Sequence, residues 1–194
     1  QIFLDKKTSL LQSRALSIIY SNILKKNSKI FFIDNPKITE SENSFSARTA
    51  AIKGFYQFVK DPEYLLDKKL NLNIKPILKF IKTYPDEEFI IFGFTSLIWN
   101  HLIKNLKKSK IKIPNNKGIL IHGGGWKKLQ NELVNRSFFN LSINNFVGIK
   151  KVYNYYGMVE QTGSIFLECE KGFFHSSIFS EILIKDKNMK ICKL

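Results

Sequence analysis

Three short, unbroken apolar runs constrain the fold of this chain more than any other feature. They are Lys29-Ile-Phe-Phe-Ile-Asp34, Glu88-Phe-Ile-Ile-Phe92 and Gly118-Ile-Leu-Ile-His122. A strand with one wet face alternates apolar and polar residues. A continuous run needs cover on both faces, as in a parallel sheet with helices on either side. Helical spacing fills the intervals. Thr8–Leu24 carries the stripe Leu11, Ala15, Ile18, Ile19 and Ile23. A second helix spans about Phe45–Val59, with Ala47, Ala50, Ala51, Gly54, Phe55 and Phe58 on one face for close packing on a sheet. A third spans about Asn73–Tyr84, with Ile74, Ile77, Leu78 and Ile81 in line and Pro76 near its start.

The remaining punctuation completes an α/β reading. Ile2–Leu4 reads as the end of a strand, and residues 35–43 as a polar loop broken by Pro36. Gly93 is expected to end the second run, before a helix carrying Phe94, Leu97, Ile98 and Leu102. A basic linker, Lys107–Lys117, leads to the third run, and a helix is expected from Trp126 to about Asn135. Strand-like segments return at Lys151–Tyr155, Ser164–Cys169 and Glu181–Lys185. The expectation is one unit over residues 1–194, a mostly parallel sheet flanked by helices and richer in strands toward the C-terminus.

Charge narrows the function less than it first suggests. The formal net charge is +15, but only Arg14, Arg48 and Arg136 are arginines. Readers of nucleic acid rely on the bidentate guanidinium, so a lysine-dominated surface argues against nucleic acid as a partner. Two cysteines, Cys169 and Cys192, without C-x-x-C spacing argue against a disulfide scaffold or a zinc site. Apolar runs this short exclude a membrane-inserted helix. A cytoplasmic location is the expectation.

Two segments could carry chemistry. The first is His122-Gly-Gly-Gly125, at a strand C-terminus ahead of a helix. In open α/β sheets that end faces the ligand crevice, and glycines there let backbone approach a ligand. A tight strand-to-helix turn explains it equally well. It is neither the dinucleotide fingerprint nor a phosphate loop, because Lys128 stands at the sixth position and no G-K-[ST] follows. The second is Tyr153-Asn-Tyr-Tyr-Gly-Met-Val-Glu-Gln-Thr-Gly-Ser164. Its rings could stack on a base, its glycine permits a turn, and its carboxylate could hold Mg²⁺. The bland alternative is a hairpin with one exposed acid.

Together these segments are more specific. Ile121-His-Gly-Gly-Gly-Trp-Lys-Lys-Leu129 followed by Tyr156-Gly-Met-Val-Glu-Gln-Thr-Gly-Ser164 resembles the LuxE-type acyl-protein synthetases, a branch of the adenylate-forming ligases. Asn43–Phe55 and Ile90–Thr95 resemble the family too. The likeness implies an ATP- and Mg²⁺-dependent ligase that activates a fatty or other carboxylic acid as acyl-AMP. It implies transfer of the acyl group to a protein cysteine thiol, which feeds an acyl-CoA reductase-type partner or a carrier. It places nucleotide binding at His122, Gly123, Gly124, Gly125, Tyr156, Gly157 and Gln161. It places catalysis and the metal at Glu160. Where many relatives have a threonine that meets the α-phosphate, this chain has Val159, and Gln161 or Thr162 stands nearest to replace it.

The likeness also implies more chain than is present. The family's phosphate loop is expected just before Gln1, and a ribose-binding aspartate, a small domain with a catalytic lysine and an acyl-accepting cysteine after Leu194. The chain alone is therefore expected to be inactive, with sheet edges left unpaired. Cys169 and Cys192 read as incidental, and Asp186 as outside the ribose context. A pocket-mouth or structural role is open for His122, and Arg48 reads as a cap or salt-bridge partner. Three rival readings are a phenylacetate-type acyl-CoA ligase, a non-catalytic binding protein on the same fold, and nucleic-acid binding by the lysine surface.

Overall fold

The computed structural model describes residues 6–21, 23, 25, 27–40, 47–56, 58–126, 134–157 and 165–192. The elements begin with α1 (Lys6–Ser21), β1 (Ser28–Phe32), α2 (Lys37–Glu40), α3 (Ala47–Phe55), β2 (Val59–Tyr64), α4 (Lys75–Thr83) and β3 (Phe89–Phe94). Then come α5 (Thr95–Leu97), a π-helical stretch at Ile98–Ile103, α6 (Lys104–Ser109), β4 (Gly118–Gly123) and α7 (Arg136–Val147). β5 (Lys151–Gly157), β6 (Ile165–Glu168) and β7 (Phe174–His175) complete the order. One seven-stranded sheet runs β2-β1-β3-β4-β5-β6-β7. Its first five strands are parallel, and β6 and β7 are added antiparallel.

The unbroken apolar runs are explained by cover on both faces. Ile30, Phe32, Ile90, Phe92, Ile119 and Ile121 pack with Tyr20 of α1 and with Ile52 and Phe55 of α3. The alternate residues Phe31, Ile33, Phe89, Ile91 and Leu120 pack with α4, with the helices after β3, and with Phe139, Ile143 and Val147 of α7. β1, β3 and β4 are therefore the core of the molecule, and each fully buried phenylalanine or isoleucine in them adds roughly 2–3 kcal/mol of burial free energy.

Several expected details shift. Gly93 does not end its strand, because β3 continues to Phe94. A Cβ at Gly93 would lie 2.9 Å from the Ile33 Cβ, so the glycine serves close strand packing. On α3, Ala50 is exposed, while Thr49, Ile52 and Phe55 form the buried line. Leu11 and Ile18 of α1 are also exposed, and Tyr20 takes the core position. Residues 35–43 are not all loop: α2 forms after Pro36, and Asn35 Oδ1 accepts from the Lys37 N–H. Glu181–Lys185 forms no ladder. Only an isolated antiparallel bridge joins Lys185 to Ile191, and Ile182, Leu183 and Ile184 are exposed. Ile2–Leu4 lies outside the described residues.

The helix expected over Trp126 to about Asn135 falls mostly outside the described residues. Trp126, Val134 and Asn135 are not helical, and residues 127–133 lie outside the described residues. A further helix, α7, which the sequence reading did not expect, begins at Arg136, where the Asn135 side chain accepts from the Phe138 N–H at 2.8 Å. The sequence reading also missed β2, the edge strand. Asp61 has φ +48° within it and Pro62 removes a donor. With Lys60 and Glu63, these residues make the edge a poor template for a further strand. Among the described residues, no helix is long and apolar enough to cross a membrane.

Candidate functional site

Strand order reverses beside β1, whose two neighbours, β2 and β3, lie on opposite sides. In open α/β sheets such a reversal opens a crevice at the strand C-termini. Here Asp34, just past β1, is buried and receives both Nε and Nη2 of Arg48 from α3, as well as the Asn35 N–H at 2.7 Å. The ion pair anchors the helix to the sheet. Arg48 is thus the salt-bridge residue expected from its position.

The pocket lies farther along the same edge, on the face covered by α7. It encloses about 250 Å³ and includes Thr95, His122, Gly124, Phe139, Asn154 and Glu168 in its walls. The pleat accounts for this set. His122, the last residue but one of β4, lies on the side opposite Ile119 and Ile121, so it points toward α7, where its ring meets Phe139 at 4.6 Å between centroids. Asn154 is the register partner of His122 on β5. By the β5–β6 register, Glu168 falls opposite Asn154. Arg136, the first residue of α7, closes the far side. Its Nε lies 2.7 Å from Glu168 Oε1, and its Nη2 donates to the Cys169 carbonyl at 3.0 Å.

His122 is nearly buried, 7% exposed. Burial, reinforced by the Arg136 charge, depresses its pKa from 6.5 to about 3. The imidazole is therefore neutral at physiological pH. Thr95, the first residue after β3, holds it: Oγ1 lies 2.9 Å from His122 Nδ1, 3.1 Å from the Gly123 carbonyl and 3.0 Å from the Gly124 carbonyl. Thr95 lies in the Ile90–Thr95 segment noted in the sequence, yet reading the sequence gave it no site role. Only the parallel register of β3 and β4 brings it beside His122.

The glycines have distinct duties. A Cβ on Gly123 would lie 2.4 Å from the Tyr155 ring, which covers it from the other face. Gly124 has φ +73°, and a Cβ there would meet Phe94 at 2.7 Å. Both are fixed by the turn and by packing. Gly125 is exposed beyond the turn. Tyr156 is half exposed, on the same strand face as Asn154, with its ring 6.1 Å from Phe166. Gly157 is exposed at the end of β5, opposite Ile165. The structure thus brings together His122, Gly124 and the strand carrying Tyr156. Glu160, Gln161, Val159 and Thr162 lie outside the described residues.

Of the cysteines, Cys192 is exposed, whereas Cys169 has a partner the sequence did not signal. A side-chain hydrogen bond to His175, across the turn to β7, draws its thiol down to about 7. Among the described residues, no three His, Cys, Asp or Glu side chains cluster as a metal site.

The histidine makes stability depend on pH. The unfolded chain protonates His122 near 6.5, while the folded chain holds it neutral to about 3. Between those values the unfolded state binds the extra proton, so stability falls as pH falls. The loss expected between pH 8 and pH 5 is about 2 kcal/mol from this group. Urea unfolding at both pH values should show that loss in the wild type relative to His122→Gln. Equal pH slopes in the two proteins would contradict it.

The family model for "Acyl-protein synthetase, LuxE" matches residues 1–193. No curated protein and no solved structure matches the chain. The match takes in the apolar strands, the glycine turn after His122 and the Tyr-Gly segment that follows Asn154, and by it the chain belongs to the LuxE family of acyl-protein synthetases.

Proposed function

We propose that this chain supplies the nucleotide-side pocket of an ATP-dependent acyl-protein synthetase. The enzyme would join a fatty or other carboxylic acid to AMP and pass the acyl group to a protein thiol. The observation that supports this reading most is the convergence of His122, Gly124 and Asn154 at the C-terminal ends of parallel strands, with Tyr156 on the same strand face beside them. The cavity, at about 250 Å³, is smaller than the ~300–1,000 Å³ of sites that enclose a whole drug-sized ligand. It suits the base end of a nucleotide.

The residues have separable tasks in that reading. Trp126 and Phe139 give the pocket apolar walls, and the half-exposed Tyr156 offers a ring for stacking. The turn at Gly124 removes the side chain that would otherwise press on Phe94 and the adjoining cavity. Arg136 holds Glu168 in an ion pair and keeps that wall closed. Glu160, through the Tyr-Gly-x-x-Glu segment, would hold Mg²⁺, which when bound neutralises charge on the phosphates. The acid's carboxylate is already nucleophilic, so the protein's work is to align it and to exclude water. A reduced thiol as acceptor suits the cytoplasm, and a reductase-type partner or carrier would consume the acyl group.

The test is substrate-dependent exchange of pyrophosphate into ATP by the full-length protein, followed by trapping of the product. Exchange with a fatty acid, and hydroxylamine-sensitive label left on the protein, is the expected result. Exchange followed by acyl-CoA release instead would assign the chemistry to a coenzyme A ligase. Absence of exchange across a panel of acids would remove the adenylation reading.

A further inference from the structure

We propose that Thr95 sets the hydrogen-bonding sense of the pocket: it holds His122 as the Nδ1–H tautomer, so that Nε2 accepts a hydrogen bond from the exocyclic amine of a 6-aminopurine. This rests on the nucleotide reading above, which already names ATP, and adds the residue that makes the pocket selective for its base.

The argument is a proton count. Thr95 Oγ1 has one hydrogen and lies near three groups, the carbonyls of Gly123 and Gly124 and the Nδ1 of His122. Carbonyl oxygens only accept, so the hydroxyl proton goes to them. The oxygen then has a lone pair for His122, and Nδ1 must be the donor. The ring is neutral, since burial holds its pKa far below the physiological range. Its single proton is spent on Thr95, and Nε2 keeps its lone pair. Thr95 is the only side-chain hydrogen-bond partner of the His122 ring among the described residues, and His122 lines the cavity.

The walls also carry Arg136 and the side-chain amides of Asn140 and Asn154, which can donate or accept. Glu168 is an acceptor with its charge met by Arg136, and the Gly124 carbonyl is occupied by Thr95. A base with an amine at the 6-position brings the donor that Nε2 lacks. A base with a carbonyl there would set two acceptors against each other and leave both unpaired in a buried place. Thr95 is thus a positioning residue, since it acts through His122 and not on the ligand.

AMP and IMP are the direct probes, because they differ at the 6-position. Titration calorimetry on the full chain should find AMP bound at least about tenfold more tightly than IMP, the ratio equivalent to one unpaired polar group. Thr95→Val should bring the two within about threefold of each other, and Thr95→Ser should restore the preference. Nitrogen-15 NMR of the wild type should show His122 Nδ1 protonated and Nε2 bare, a signature that a merely structural threonine would not require. A protonated Nε2, or equal binding of AMP and IMP, overturns the assignment even if Thr95→Val fails to fold. Binding of AMP without preference removes only this inference, whereas binding of neither nucleotide removes the nucleotide reading with it.

Discussion

Gly148→Ala is expected to destabilise the fold by about 3–4 kcal/mol, the sum of a left-handed backbone penalty and a clash that cannot relax. Gly148 follows α7 with φ +71° and closes it by donating its N–H to the Asn144 carbonyl at 3.1 Å. A Cβ there would stand 2.3 Å from the Pro114 carbonyl oxygen and 2.7 Å from its carbon. These are backbone atoms of the segment entering β4, and that segment is pinned in turn. Asn116 donates through its N–H to the Gly148 carbonyl and through its side chain to the Val147 carbonyl, and the Ile113 N–H donates to the Phe146 carbonyl. No rotamer change can make room. The strain would be shared by the approaches to β4 and β5, which carry His122 and Asn154, so nucleotide affinity should fall with stability. Urea unfolding measures the first and AMP titration the second. A midpoint within error of the wild type would show that the loop yields more freely than its hydrogen bonds indicate.

The same loop shows what can be read from a sequence and what cannot. Unbroken apolar runs identified β1, β3 and β4 because burial on both faces leaves a compositional mark. α7 left a mark too: Asn135 before the helix, Phe139, Ser142, Ile143 and Val147 on one face, and Gly148 after it. β2 carried little signal, since Asp61 and Pro62 are turn residues that an edge strand accommodates by a register shift against β1. Its partners are supplied by position in the sheet and not by side-chain pattern.

The site divides along the same line. His122 and Gly124 were legible because a glycine turn at a strand end has few purposes. Arg136 and Glu168 were not, because they are 32 residues apart and meet only once β6 is paired with β5. Thr95 was quoted as part of a similar segment but had no role until β3 and β4 aligned in register. The Cys169–His175 contact belongs to the same class, a pairing created by the β6–β7 hairpin. Sequence pattern therefore located the strand ends, and pairing register decided which side chains share a cavity.

Glu160→Ala in the full-length protein is expected to lower the rate of pyrophosphate exchange by roughly 10²–10³-fold, the usual effect of removing one preorganised charge-stabilising group. The position is the acid of the Tyr-Gly-x-x-Glu segment, three residues past Gly157. Its neighbour is Val159, whose side chain offers no hydrogen bond to a phosphate. Charge and shape are separable here. Glu160→Gln keeps the shape and loses the charge, so it should be nearly as slow as Glu160→Ala if the carboxylate holds Mg²⁺, and near wild type if the residue only shapes the turn. Tyr156→Ala provides the contrast. Stacking of a base on an aromatic ring contributes about 1–3 kcal/mol, so its loss should raise KM for ATP by roughly 5–100-fold and leave kcat largely unchanged. A Glu160 variant that changes KM alone, or that recovers with glutamine, would move the acid out of the chemical step and leave Tyr156 and the His122 pocket as the nucleotide's main hold on this chain.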